Sequence, residues 1–342
     1  MSLFFNFHGL VELEIDTQDK QTLHFFSEEY KPYQVDRLLG NTPRVFLRFQ
    51  RKPFPSTTKG YSVSFHKLFA NWAYHINILD ENLIEIDVYG NLVSIAMVHH
   101  MLVHPSIRYL SSMAQVLMLH AGAVTYQQKS WLFTGYGGAG KTTTTSLLLK
   151  ALGTGKFLHS DDYVFFDPTP KTYSYLTRSH LYWDLVRWLP ALKEILTTQE
   201  LVRLWVLGKI RKYSHEGVKW PVRIGFERMW TGYAHVREAI PAGVIWLERS
   251  TDGSVSLDPF DPTEDDLDNL IEMNFYEARH FLSLIQKNSS VQNYEYWLSA
   301  WQARERELLK DCFTQTQSYR LKISHISKNT SFLKDLVTLI KA

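Results

Sequence analysis

Gly135-Tyr136-Gly137-Gly138-Ala139-Gly140-Lys141-Thr142 spells G-x-x-x-x-G-K-T, the spacing of a phosphate-binding loop. The glycines allow the backbone to curl so that successive N–H groups face phosphate oxygens. Lys141 is placed to reach the outer phosphates, and the Thr142 hydroxyl to ligate Mg²⁺. A helix starting here adds its positive end to the same anion. Gly135, Gly137, Gly138, Ala139, Gly140, Lys141, Thr142 and Thr143 are therefore the candidate cofactor-binding residues. The expected ligand is a nucleoside triphosphate with Mg²⁺.

The flanks have the order such a loop requires. Ser130-Trp131-Leu132-Phe133-Thr134 suits a buried strand. Thr142 to Leu152 suits a helix, and Gly153 a helix stop. Upstream, Val116 to Tyr126 reads as a strand and Gln127-Gln128-Lys129 as a turn, so that 116–134 forms a hairpin feeding the loop. His120 then sits on a neighbouring strand. Downstream, Phe157 to Phe166 is an apolar strand interrupted by Asp161-Asp162. Strand, helix and strand in this order predict a parallel pair with a right-handed crossover. Both strands then end on the same side of the sheet, where ligands bind, and the aspartates face the loop.

Bulk properties narrow the field. Apolar residues make up 45% of 342, enough for a large core, and a net charge of +2 gives no global polyanion signal. The single cysteine, Cys312, excludes an internal disulfide, fits a reducing compartment and reads as an ordinary buried thiol. The start of the chain lacks secretory-signal features. Residues 109–128 carry no formal charge, but their Ser, Gln, His and Thr residues read better as a helix end plus a strand than as a span. A cytoplasmic protein with no membrane partner is expected.

Residues 1–105 read as a smaller N-terminal α/β domain, with strands at Val11–Ile15 and Leu83–Val88, a helix from Leu92 and a loop over 51–61. Residues 106–342 read as the nucleotide-binding α/β domain. Within it, 171–232 holds eleven Lys or Arg against five Asp or Glu, interleaved with aromatic residues. This basic insertion is expected to be mostly helical over 180–213 and to act as a lid or as a solvated face. Arg178, Arg187, Lys219 and Arg223 are its candidates for phosphate charge stabilisation. Residues 251–277 reverse the sign, with nine acids and no base, and Pro262 to Leu267 resembles a helix start. Ala242–Leu247 reads as a core strand and Tyr319–Ile323 as a late one before a C-terminal helix. His99, His100 and His104 stand among apolar neighbours with no carboxylate or cysteine to complete a metal set.

Phosphoryl transfer to a hydroxyl needs a held triphosphate, a metal ion and a base near the acceptor. Lys141 and Thr142 supply the first two. In Asp161-Asp162, one carboxylate can serve as base and its neighbour can hold Mg²⁺. Adjacent carboxylates repel, so a cation is expected close by.

Taken together, His120-Ala121-Gly122-Ala123-Val124, Gly135 to Thr142, and Ser160-Asp161-Asp162 resemble the core of HPr kinase/phosphorylase, whose nucleotide-binding fold is shared with phosphoenolpyruvate carboxykinase. The resemblance covers about 118–166. It implies a P-loop core of that type and ATP-dependent phosphorylation of a hydroxyl. It also implies Asp161 as base, Asp162 in the Mg²⁺ shell, and His120 supporting Asp161. The Glu- and Gly-rich stretch that follows the aspartates in that enzyme has no counterpart here. The chain is thus similar to a divergent member with another acceptor, a small molecule, peptide or protein. A nucleotide-dependent switch without acceptor chemistry, and an RNA-directed kinase or binder, are the alternatives. Homo-oligomerisation is left open.

Overall fold

The computed structural model describes all residues except 52–62, 68–69, 154–155, 191, 216–219, 233, 251–253, 288–290 and 324–330. The chain forms two compact units. One comprises Met1–Leu119, Phe165–Pro170 and Pro262–Gln315; the other comprises His120–Val164, Lys171–Asp261 and Thr316–Ala342. This division differs from the expected 1–105 and 106–342. The expected loop at 51–61 falls almost wholly outside the described residues, as does much of the loop expected at 214–218.

In the first unit, strands β1 (Ser2–Phe7), β2 (Val11–Thr17), β3 (Gln34–Val35), β4 (Arg44–Gln50), β5 (Val63–Lys67), β6 (Ala70–Ile78) and β7 (Leu83–Gly90) form a mixed sheet in the order β3-β1-β2-β4-β7-β6-β5. The central β2, β4 and β7 run parallel, and the outer pairs are antiparallel. Period-two alternation decides the buried face. In β7, Ile84, Ile86 and Val88 are buried while the residues between them are part-exposed. Helix α1 (Lys20–Glu29) is capped by Asp19, whose carboxylate accepts from the Thr22 N–H at 2.9 Å. Helix α2 (Ser94–Val98) continues through a π-helical turn at His99–Val103 into α3 (His104–Met113). His99 Nε2 lies 2.9 Å from the Tyr30 hydroxyl. Every residue of α3 from His104 to Ser112 is buried, the Arg108 guanidinium included. Strand β8 (Leu117–Leu119) follows. The expected strand 116–126 is thus broken at His120.

In the second unit, β9 (Ala121–Tyr126) and β10 (Lys129–Thr134) form the expected hairpin. Gln127 and Gln128 both take positive φ, 49° and 65°, the twist that a two-residue hairpin turn requires. Then come α4 (Lys141–Leu152), β11 (Lys156–Ser160) and β12 (Tyr163–Asp167). The expected pairing of β10 with β11 does not form. Both are antiparallel to β9, which lies between them. The hairpin already occupies one edge of β10, and β17 (Glu238–Arg249) takes the other in parallel. β10 and β11 nevertheless run in the same direction, so both end on the same side.

Between β12 and β17 in sequence lie β13 (Lys171–Tyr175), β14 (Ser179–Leu181), α5 (Trp183–Trp188), α6 (Leu192–Ile195), α7 (Thr198–Tyr213), β15 (Val222–Ile224), α8 (Phe226–Met229) and β16 (Ala234–His235). The helical reading of 180–213 therefore holds for most of its length. The strand expected at 242–247 lies within β17, after which comes β18 (Ser256–Pro259).

The acidic stretch returns the chain to the first unit as α9 (Glu264–Glu277), α10 (Arg279–Lys287) and α11 (Tyr294–Thr314). The helix start expected near 262 is a capping box between Thr263 and Asp266. A buried network explains why these helices belong with α3. Arg108 on α3 donates through Nε to Glu305 Oε1 on α11 at 2.8 Å, through Nη2 to Oε2, and through Nη1 to the Asn274 carbonyl on α9 at 2.6 Å. Ser112 Oγ and Trp301 Nε1 also donate to Glu305 Oε1, at 3.0 and 2.9 Å. The guanidinium also lies against the Phe275 and Trp301 rings. Cys312 on α11 is buried, and burial pushes its thiol pKa up. Finally β19 (Gln317–Ile323) pairs in parallel with β17, and the expected C-terminal helix is α12 (Ser331–Lys341). Among the described residues no helix is long and apolar enough to cross a membrane.

Because Arg108 and Glu305 are buried and mutually satisfied, removing one partner leaves an uncompensated charge. Glu305→Ala is expected to destabilise the chain by about 3–5 kcal/mol in urea unfolding, and the paired replacement Arg108→Met with Glu305→Leu to cost far less.

Candidate active site

The glycine loop joins the end of β10 to the start of α4. Gly135, Gly138 and Gly140 take φ of 152°, 81° and 106°, conformations that side-chain-bearing residues rarely adopt. Gly140 is the N-cap of α4 and accepts from the Thr144 N–H at 2.8 Å. Ala139 is buried and turns back with its N–H on the Tyr136 carbonyl at 2.9 Å, while Tyr136, Gly137 and Gly138 form an exposed crest. Lys141 is buried, and its Nζ donates to the Gly135 carbonyl at 2.7 Å. Thr142 is part-exposed and Thr143 buried in the first turn of α4.

The aspartates occupy the turn between β11 and β12. Ser160 Oγ is shared between the carbonyls of Tyr163 and, at 3.2 Å, Tyr175, which closes the turn. Gly122 on β9 is the close approach that admits this arrangement. A Cβ there would stand 2.7 Å from Thr145 Oγ1 on α4 and 3.6 Å from the Asp161 carbonyl.

The two carboxylates point to different partners. Asp161 Oδ2 accepts from Ser179 Oγ on β14 at 2.9 Å. Its Oδ1 is buried without a hydrogen bond of good geometry, and the Thr142 hydroxyl is near enough to weigh on its titration. Asp162 Oδ1 lies 3.1 Å from His120 Nε2, the Asp162 side chain being 49% exposed and that of His120 11%. With Asp162 ionised, His120 carries its proton on Nε2 and donates. The imidazole stacks on the Tyr163 ring at 4.8 Å. Thr134 Oγ1, at the end of β10, donates to the His120 carbonyl at 3.2 Å. The expected His120–Asp161 pair is therefore corrected to His120–Asp162. Successive residues of an extended turn face opposite ways, so only one of the two acids can meet the histidine.

Burial, then the neighbouring Asp162 charge, push the Asp161 pKa up to about 6, against the Ser179 and Thr142 hydroxyls, which lower it. The residues here suit a divalent cation and a polyphosphate. They combine a hydroxyl and a buried carboxylate with an unmet acceptor, beside a curled loop that carries a lysine.

Of the four sequence-named cations, Arg178 Nη2 donates to the Arg223 carbonyl at 2.9 Å, bracing the β14–β15 ribbon that carries Ser179. Lys219 lies outside the described residues. The cation found at the loop is instead Arg249, at the end of β17, whose Nη2 donates to the Gly138 carbonyl. Its signal was its position at the C-terminal end of a core strand, where α/β sheets bind ligands. Tyr163 was adjacent to the aspartates. Ser179, eighteen residues beyond Asp161, carried no local signal. No protein-family model matches the chain, and no curated protein matches it.

A raised carboxylate pKa means that the native state binds the proton more tightly than the unfolded chain. The associated stability is present below the ordinary carboxylate range and is lost as pH rises from about 4 to about 6. Asp161→Asn, measured without nucleotide or divalent cation, is expected to be more stable than the parent by about 2–3 kcal/mol at pH 8. Little difference is expected at pH 4, and urea unfolding at the two pH values reads the contrast.

Proposed function

We propose that the chain is an ATP-dependent kinase that transfers the γ-phosphoryl group to a hydroxyl, on a P-loop core of the HPr kinase/phosphoenolpyruvate carboxykinase type. The observation that carries this reading is the division of labour in the aspartate turn. One carboxylate is buried beside Thr142 at the foot of the loop, and the other is half-exposed and held by a histidine.

The curled loop and the start of α4 bind the triphosphate through backbone N–H groups, with Lys141 on its outer oxygens. Thr142 and Asp161 are the residues to hold Mg²⁺, which when bound would neutralise charge on the β- and γ-phosphates. Asp162 takes the acceptor's proton as the acceptor oxygen bonds to the γ-phosphorus and the bond to the β–γ bridging oxygen breaks, with ADP leaving. The His120 Nε2–H orients the Asp162 carboxylate, and stacking on Tyr163 fixes the ring. This assignment exchanges the roles that the sequence resemblance implied for the two acids. Ser179 is a positioning residue, keeping Asp161 Oδ1 turned toward Thr142. Arg249 adds a cation at the crest of the loop. The acceptor is a hydroxyl-bearing small molecule, peptide or protein.

The test is transfer from γ-labelled ATP into a panel of hydroxyl metabolites and peptides. Asp162→Asn is expected to lower turnover by about 10²–10⁴-fold with little change in ATP affinity. Unchanged turnover would remove the proposed base. Label released only to water, whatever acceptor is offered, would instead mark a nucleotide-driven switch. Arg249→Ala is expected to weaken ATP binding about 10-fold or more, read by calorimetry.

A further inference from the structure

Helix α7 is docked on the second unit by one face and bare on the other. Its inward face carries buried Leu204. Gly208 is pressed so closely against Trp183 that a Cβ would stand 2.7 Å from that side chain. Arg211 lies over the Tyr182 ring and pairs with Asp184 at 3.4 Å. The outward face is apolar as well. Val202, Val206 and Tyr213 stand in line along it, with Ile210 to one side and Trp205 to the other, and all five are exposed, Val202 at 56% and Tyr213 at 78%. Cations border this stripe on both edges, Arg203 beyond Ile210 and Lys212 beyond Trp205, and Lys209 stands within it, between Val202 and Trp205. Lys209 Nζ lies 5.6 Å from the Trp205 ring centre. No acid breaks this face. Glu200, the one acid of α7, lies away from it and is paired with Arg228 at 2.8 Å.

A contiguous exposed stripe of this kind marks an interaction surface. Its chemistry selects the occupant. A second copy seated on the same stripe would set cation against cation in either orientation, because both edges are basic. A nucleic acid would meet the cations and rings but leave the aliphatic centre of Val202, Val206 and Ile210 uncovered. A convex ridge buries little against a flat rigid surface, whereas the interface of a bilayer deforms around it. Branched aliphatic residues in the middle, an aromatic ring toward the end, a cation on each margin and one lysine among the apolar residues, whose stem can lie flat while its head reaches lipid phosphate, suit a helix lying in an anionic lipid surface.

We infer that the outward face of α7 is a reversible docking surface for anionic phospholipid membranes. This differs from crossing a bilayer and departs from the sequence expectation of no membrane partner. It is independent of the kinase reading, since none of these residues belongs to the nucleotide site.

The full-length chain is to be sedimented with vesicles of phosphatidylcholine alone and of phosphatidylcholine containing about 30% phosphatidylserine. Binding is expected to the anionic vesicles only, and to fall as salt rises. Val206→Glu is expected to abolish it, and Lys209→Gln and Lys212→Gln each to weaken it about 5-fold. The thermal melts should be unchanged, since all three side chains are exposed. Absence of binding to either vesicle, equal binding to both, or binding undiminished in Val206→Glu would overturn the inference. So would a dimer in sedimentation that Val206→Glu dissociates, which would assign the stripe to a second copy.

Discussion

Two negative charges on consecutive residues, one of them buried, are the constraint around which the second unit is arranged. A buried carboxylate with a like charge next to it resists ionisation, and Asp161 does so up to about pH 6. The surroundings hold it in place nonetheless. Ser160 ties the turn shut, Gly122 gives up a side chain so that β9 and α4 can crowd it, and Ser179 is brought from β14 to donate its hydroxyl to the acid. A cation would relieve the like-charge repulsion, and the Thr142 hydroxyl that weighs on Asp161 follows directly on Lys141 at the start of α4.

The parts of this arrangement that were legible in the sequence are the local ones. The glycine loop declares itself by spacing, because a turn with positive φ at 135, 138 and 140 needs glycine at those places. The 127–128 turn and the Thr263–Asp266 cap are likewise short-range. What failed was long-range. No property of β10 or β11 alone says that β9 will lie between them, since the hairpin and the crossover compete for the same strand edge. Nor does the dipeptide Asp161-Asp162 say which acid meets His120. Ser179 and Arg249 reach the site through the sheet and the β14–β15 ribbon, so their roles exist only once the chain is folded.

Charge segregation along the chain follows two different rules. The acidic stretch after Pro262 is largely structural. Its first turn caps α9, and Glu264 and Asp268 are engaged by Arg306 and Lys310 on α11. The basic stretch is only partly so. Arg178, Arg211 and Arg228 are absorbed into bonds that fix local structure, whereas Arg203, Lys209 and Lys212 stay at the surface, on and beside the apolar ridge of α7. Composition alone could not separate these uses, because a residue's fate depends on which side of its helix it occupies.

The bond between Arg108 and Glu305 has one more consequence, for biosynthesis. Nearly two hundred residues separate the two ends of that lock, and the second unit up to Asp261 is threaded between them. A ribosome emits the N-terminal sheet first, and α3 packs on β2 and β4 of that sheet, yet the Arg108 guanidinium has no carboxylate partner until α11 emerges. During that interval the nascent chain carries an unmatched charge on α3, and the face that α9 and α11 later cover is open, the kind of intermediate that chaperones guard. The protein is thus built so that its first-made half is finished almost last.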